Sequence, residues 1–415
     1  MKVVGLIAEY NPFHNGHLYH LLESKKITKS DYSIAVMSGN FLQRGEPALV
    51  DKWTRAKMAI DNGIDLVIEL PLIYACQSAE FFAFGSVKIL DSLGIINSIC
   101  FGSESGDIQS LDYIAEILYE EPEAYKKYLK SHLDQGLSYP KAREQALTKY
   151  LKEFADLDFS NIEEIISSPN NILSIEYLKS LKKIKSNIRP FTLKRIKSNY
   201  HDKKLTGTIS SATAIREQLI RNPVLENIKH TVPEATYTHL VNFYKEHNGF
   251  NSLENYSIIL LYLLRNSSSS ILKNIVDVTE GLDNRIIDCS SKYNDISDIL
   301  ECVNTKRYTI TRLRRILIHL LLNIDKKNIN FLQSYGPQYI RVLGANTNGI
   351  YLLKEMKKTC SLPIITKFAD YKKFNNDILN KMIEIDKKAT DIYSLGLNKG
   401  KMNLDYLTSP YIIST

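Results

Sequence analysis

Apolar and polar residues follow two alternating rhythms along the first hundred positions. Val3–Ala8 is a short continuous apolar run, which predicts a buried strand, and Gly16–Lys26 sets Leu18, Leu21 and Leu22 at helical spacing. The pair of patterns then repeats. A strand is expected over Asp31–Met37, a helix over Lys52–Asn62, a strand over Asp65–Leu70, a helix over Ser78–Leu93 and a strand over Ile95–Phe101. Strands that are apolar on both faces and alternate with helices predict a parallel sheet covered on both sides, an α/β fold. Helical periods continue over Leu111–Glu120, Pro122–Asp134, Pro140–Phe154 and Asn171–Lys183. A fifth strand over Asn187–Leu193, a polar loop Lys197–Thr208 and a helix from near Ser211 follow. From Asn222 the pattern is mostly helical (Glu234–Lys245, Leu253–Leu264, Lys306–Asn323), with one strand–helix–strand unit at Tyr339–Thr366. The 415 residues exceed what a single core usually supports, so the expected division is an α/β domain over 1–225 and a mainly helical one over 226–415.

Composition changes this picture little. The chain is 44% hydrophobic and 24% charged, as ordinary globular proteins are. The start lacks the longer apolar stretch of a secretory leader, and no run approaches the roughly 20 residues of a membrane span. Five scattered cysteines without a CxxC argue against disulfides and a zinc knuckle, and for a reducing cytoplasm. Charge is more telling. The net +7 is uneven: residues 1–110 hold 9 basic and 12 acidic side chains, the remainder 44 and 34. A phosphate-bearing partner docked on the later part fits that asymmetry.

The densest chemical signal is Glu9-Tyr10-Asn11-Pro12-Phe13-His14-Asn15-Gly16-His17, between the first strand and the first helix. Pro12 restricts the backbone of Asn11, so the chain turns here, and Gly16 lets a ligand approach closely. The free N–H groups at the helix start suit a phosphate, and His14 and His17 can donate hydrogen bonds as charge moves onto a leaving pyrophosphate. His20 adds a third imidazole, but only Glu9 and Glu23 lie nearby, so no metal site is expected. Ile209-Ser210-Ser211-Ala212-Thr213-Ala214-Ile215-Arg216 has a similar character: Ser210 or Ser211 can cap a helix, with Arg216 about one turn in. The Ser38–Ala48 loop follows the second strand, where Ser38, Gly39, Asn40, Gln43 and Arg44 suit a small anionic substrate. Lys52 or Arg55 can neutralise its charge, and Asp51 caps their helix. The basic run Lys306–Arg315 heads an amphipathic helix, where cations oppose the dipole and want an anion such as a phosphate backbone. Lys194, Arg195 and Lys197 form a second basic cluster, and 25 tyrosines offer stacking platforms for unpaired bases.

The segment Asn11–His17 resembles the (H/T)xGH signature of the nucleotidyltransferase superfamily, whose members bind ATP on a Rossmann-like sheet. Ile209–Arg216 resembles its ISSTxxR phosphate loop, with one extra residue before Thr213. More closely, Gly5–His17, Met37–Ala48, Asp51–Ala56, Glu69–Pro71, Phe101–Glu104 and Ser168–Leu173 resemble, in order, the bacterial tRNA(Met) cytidine acetate ligase family. The resemblance is dense over the first 216 residues and loose beyond. It implies that acetate and ATP give acetyl-adenylate and pyrophosphate, with no covalent enzyme intermediate. The N4 amine of the wobble cytidine in elongator tRNA(Met) then takes the acetyl group and releases AMP. Carried over by position, ATP would be held by Ile7, Ala8, Glu9, Tyr10, Asn11, Pro12, Phe13, His14, Asn15, Gly16, His17, Leu18, Tyr19 and His20. Gly102, Asn170 or Asn171 (Asn171 favoured), Arg195, Ser210, Ser211 and Arg216 would contribute further, with His14 and His17 catalytic. Mg²⁺ would bridge the phosphates, and neither a membrane nor an obligatory protein partner is implied. Two other readings stay open. One is an adenylyltransferase forming a dinucleotide cofactor, which leaves the basic helical half unexplained. The other is a non-catalytic RNA-binding protein, against which the intact His14, Gly16, His17 and Arg216 speak.

Overall fold

The structure, a computed structural model, describes residues 1–137, 139–154, 162–195, 208, 210–279, 281–305 and 307–413. Most of the expected polar loop Lys197–Thr208, Ile209 and Lys306 lie outside the described residues.

Five parallel strands carry the first half: β1 (Val3–Ala8), β2 (Tyr32–Ser38), β3 (Leu66–Leu70), β4 (Ser98–Ser103) and β5 (Arg189–Lys194), ordered β5-β4-β1-β2-β3. The apolar runs of β1 to β4 are buried because helices cover both faces, while β5 at the edge is only partly covered. The crossovers include the helices Asn15–Thr28, Lys52–Asp61, Ala79–Ser92 and Pro169–Lys183. From β1 the chain winds one way to β2 and β3, then the other way to β4 and β5. At such a reversal the loops leaving neighbouring strands part, and a crevice opens at the carboxyl ends of β1 and β4.

The strand–helix–strand unit expected at Tyr339–Thr366 is present, as β6 (Ile340–Ala345), the helix Thr347–Thr359 and β7 (Ile364–Ile365). It does not stand apart. β6 pairs antiparallel with β3, and β7 and β8 (Tyr411–Ile412) pair with β6. The second half therefore extends the sheet of the first, and one sheet draws strands from both sides of position 225.

A buried ionic cluster fastens this junction. Lys52 Nζ, wholly buried, lies 2.8 Å from Glu69 on β3 and 2.8 Å from Asp405 near the C-terminus. Arg341 on β6 reaches Asp405 at 2.9 Å and Glu69 at 3.4 Å. The cysteine expectation is overturned in one place. The helices Leu282–Lys292 and Ile296–Val303 bring the Cα atoms of Cys289 and Cys302 to 5.9 Å, and the two are joined as a disulfide. Their spacing belongs to a helix hairpin, not to a short motif, so it leaves no mark a sequence scan would catch. Cys76, Cys100 and Cys360 remain thiols.

Candidate active site

A cavity of about 550 Å³ opens at the carboxyl edge of β1, β4 and β5, where the strand order reverses. Its walls differ in character. Phe101, Ile172, Leu173, Tyr177 and Leu193 give an apolar side, while His14, His17, His20, Arg44, Arg195, Ser210 and Ser211 give a polar one. A planar ring and a chain of phosphates would suit the two sides respectively.

The histidine turn is built by helix capping. His14 is the N-cap of Asn15–Thr28, and its Nδ1 accepts from Gly16 N–H at 3.0 Å. His17 Nδ1 accepts in return from His14 N–H at 3.3 Å, and the two rings stack 3.9 Å apart. A ring nitrogen that accepts carries no proton, so each neutral imidazole keeps its proton on Nε2. The rings are neutral because burial drives the His14 pKa down to about 3, helped by the positive charges of Arg195 and Arg216. Burial likewise lowers His17 well below its ordinary value and His20 to about 4. His14 therefore has its Nε2–H donor left, without a cation in a site that already holds arginines, while the His17 ring also donates to the Pro12 carbonyl. His20 Nε2 is buried with no hydrogen-bond partner among the described residues.

The second phosphate-loop segment docks onto this turn. Ser211 caps Ala212–Arg221, its hydroxyl accepting from Ala214 N–H at 3.1 Å. Ser210 and Ser211 both face the cavity. Arg216 does not line it. Its guanidinium donates to the Asn11 carbonyl at 3.0 Å and pairs with Glu46 at 3.4 Å. Glu46 also pairs with Arg314 on the Ile310–Leu321 helix, so one carboxylate joins an arginine from each half of the chain. Gly45 makes that contact possible: at φ +71, a side chain there would meet the backbone of Arg315 at 2.2 Å.

Of the residues expected to hold nucleotide, the cavity gathers Ile7, Ala8, Glu9, Tyr10, His14, Gly16, His17, Tyr19, His20, Gly102, Asn170, Arg195, Ser210 and Ser211. Asn11, Pro12, Phe13, Asn15 and Leu18 support the turn from outside its walls. Asn11 Oδ1 accepts from Leu49 N–H at 2.7 Å, Phe13 is fully buried, and Asn15 donates to the carbonyls of Thr208 and His230. The two asparagines are placed differently. Asn170 lines the cavity and its Nδ2 donates to the Glu104 carboxylate at 2.7 Å, whereas Asn171 is buried and accepts from the N–H groups of Glu104 and Ser105 at 2.9 and 3.1 Å, its own Nδ2 having no partner among the described residues. The Glu104 carboxylate returns the contact, accepting from Asn170 N–H at 3.1 Å and Asn171 N–H at 2.7 Å. The loop after β4 and the Pro169–Lys183 helix are thus locked together.

The expected substrate loop divides more sharply. Gln43 and Arg44 reach the cavity, while Ser38, Gly39, Asn40, Lys52 and Arg55 do not. Ser38 is buried, and Gly39 packs so tightly on Glu69 that a side chain would lie 2.6 Å from its carboxylate. Asn40 accepts from Lys52 N–H at 2.8 Å. Lys52 is spent on Glu69 and Asp405, as described. Arg55 is buried among carbonyls, donating to Glu9 O at 2.7 Å, Ser38 O at 3.0 Å, Val50 O at 3.2 Å and Gly39 O. It ties the ends of β1 and β2 together. Asp51 is the N-cap, as expected, accepting from Thr54 N–H at 2.8 Å. Three of the four arginines of the basic run are also engaged: Arg314 by Glu46, Arg315 by Asp277 at 3.1 Å and Arg312 by the Asp277 carbonyl at 3.0 Å. Protein carboxylates and carbonyls supply the compensation expected from a phosphate backbone.

Sequence reasoning missed the apolar wall and Thr311, the one lining residue from the second half among the described residues. Phe101, Leu193 and Tyr177 carry no signal that separates a ligand wall from core.

Comparison with known proteins agrees with this geometry. A family model described as HIGH nucleotidyl transferase matches residues 1–405. The chain is 52% identical over 409 residues, 98% of both chains, to the tRNA(Met) cytidine acetate ligase of Thermoanaerobacter sp. (strain X514). It is 46% identical over 414 residues, 99% of this chain and 100% of the relative, to that of Clostridium perfringens (strain SM101 / Type A). Its fold matches the crystal structure of apo Thermotoga maritima TmcAL with a TM-score of 0.96 at 39% identity, covering all of both chains. The same protein bound with alpha-thio ATP matches at a TM-score of 0.93. The chain therefore belongs to the HIGH nucleotidyl transferase family and, within it, to the tRNA(Met) cytidine acetate ligases.

Proposed function

We propose that the protein is a cytoplasmic, ATP-dependent ligase that acetylates N4 of the wobble cytidine of elongator tRNA(Met). The observation that carries this reading is the cavity at the strand reversal, with paired neutral histidines on one side and an apolar wall on the other. In the first step an acetate oxygen attacks the α-phosphorus of ATP, and the bond to pyrophosphate breaks, giving acetyl-adenylate. In the second the cytidine amine attacks the acetyl carbon, AMP leaves and the nitrogen loses a proton.

Acetate is already ionised at neutral pH, so the first step needs positioning and charge neutralisation rather than a base. The Nε2–H donor of His14, with the His17 ring stacked on it, suits the charge that develops on departing pyrophosphate. The N–H groups at the start of Ala212–Arg221 would hold phosphate oxygens, and Arg195 would add positive charge. Gln43 and Arg44 stand where the carboxylate of the acyl donor would enter. Among the described residues no cluster of His, Cys, Asp or Glu side chains is suited to hold a metal ion. Mg²⁺ would therefore arrive with the triphosphate and be held by its oxygens and water. No helix of the described residues is long and apolar enough to cross a membrane. The direct test incubates the protein with ATP, labelled acetate and elongator tRNA(Met). Label recovered in N4-acetylcytidine together with AMP supports the reading, and a stable dinucleotide product would refute it.

A further inference from the structure

A second pocket, of about 690 Å³, lies beyond the C-terminal end of the Ile310–Leu321 helix, whose N-terminal end touches the histidine cavity. That helix carries Thr311 at the cavity wall and leads into Asn323 and Ile324 at the second pocket. The two sites thus sit at the ends of one helix about 18 Å long. The second pocket is closed by the helices Lys326–Ser334 and Asp377–Ser394.

Three features of its lining point to one kind of ligand. Lys372, Lys381 and Lys388 face a single acid, Glu384, and that acid already accepts from the Tyr371 hydroxyl. Phe331 is 44% exposed, so part of its ring is open to a ligand in the pocket. Lys381 Nζ sits 5.7 Å from its centre, and Lys372 Nζ sits 5.9 Å from that of Tyr371. Asn380 Oδ1 is buried with no hydrogen-bond partner among the described residues. Cations, an open aromatic face and an unused amide acceptor match the phosphate, the base face and the base edge of a nucleotide. The surroundings agree: Asn323–Thr415 holds fourteen basic against eight acidic residues, almost all the net charge of the chain.

We infer that this pocket, around Phe331, Lys381 and Lys388, binds a nucleotide of the RNA substrate away from the reacting base. The inference rests on the ligase reading. It anchors the tRNA on the second half while the cytidine enters the histidine cavity.

The test compares wild type with a Lys381→Gln/Lys388→Gln double variant and with Phe331→Ala, using Lys358→Gln as a control for net charge. Elongator tRNA(Met) binding is measured against salt concentration, with acetate-dependent ATP–pyrophosphate exchange measured in parallel. Both pocket variants should bind tRNA about tenfold more weakly. The lysine pair should also make the salt dependence shallower by about two, with Phe331→Ala leaving the slope unchanged. The control should bind within about twofold of wild type, and exchange should be normal throughout. Normal exchange with undiminished tRNA binding in both pocket variants would overturn the subsite alone. Equal weakening by Lys358→Gln would reduce it to general charge and overturn it too. Exchange absent from wild type would instead overturn the ligase reading beneath it.

Discussion

Two loops leave neighbouring parallel strands at the same edge of the sheet, and they use their polar residues in opposite ways. The turn after β1 presents His14, His17 and His20 to the cavity, each with a neutral ring. The loop after β2, with the helix that follows it, looks as well equipped. Yet Asn40, Lys52 and Arg55 turn inward onto protein partners, and only Gln43 and Arg44 reach the cavity. Charge and position alone do not distinguish them. What distinguishes them is burial: Lys52 and Arg55 are wholly enclosed by protein, whereas Gln43 and Arg44 are half-buried at the cavity wall. A cation that is fully buried and fully paired holds the fold, and one at a wall faces the space a substrate would enter.

The comparison predicts different consequences for disrupting each region. Lys52→Met should be the most damaging to stability. It leaves Glu69 and Asp405 buried with Arg341 as the one cation between two carboxylates, costing about 3–5 kcal/mol in denaturant unfolding. A variant as stable as wild type would show that Lys52 is not the fastening we describe. The asparagine pair sharpens the contrast at smaller scale. Asn171→Ala should lose about 1–3 kcal/mol of stability with exchange kcat retained. Asn170→Ala, which loses one bond to Glu104, should lose less stability than Asn171→Ala while raising the KM for ATP about two- to tenfold. The opposite pattern would favour Asn171, the sequence-based choice.

Acidification gives the mildest test. His14 and His20 have folded pKa values of about 3 and 4, below the ordinary 6.5. Between those values and 6.5 the unfolded chain takes up protons that the folded one refuses. Their stabilising contribution is therefore full above pH 6.5 and is lost as pH falls towards 4 and 3. A His14→Gln variant should show a flatter decline of unfolding free energy between pH 7 and pH 4. An equally steep decline would mean that His14 titrates normally in the folded state.

How much of this was legible in the sequence depends on where the partners lie. The strands β1 to β3 announced themselves by continuous apolar runs, and the histidine turn by residues that are adjacent in the chain. The ionic cluster was hidden because Glu69 meets Arg341, and Lys52 meets Asp405, only through a strand pairing formed from opposite ends of the chain. The same distance concealed the clasp of Glu46 between Arg216 and Arg314. Asn170 and Asn171 were indistinguishable by composition. Neighbours on a helix point about 100° apart, so Asn170 lies at the cavity edge with its amide on Glu104, and Asn171 is enclosed under the β4 loop. The apolar wall was unreadable for a simpler reason, since Phe101 and Leu193 look like core wherever they sit.

The central claim is that the paired histidines form the centre of adenylate formation. Acetate-dependent ATP–pyrophosphate exchange on wild type and His17→Ala tests it most directly. The account predicts exchange that requires acetate and falls by about 10²–10³ in the variant, with its folding cooperative and intact. Wild-type exchange surviving undiminished in His17→Ala, or supported by no carboxylic acid at all, would contradict it.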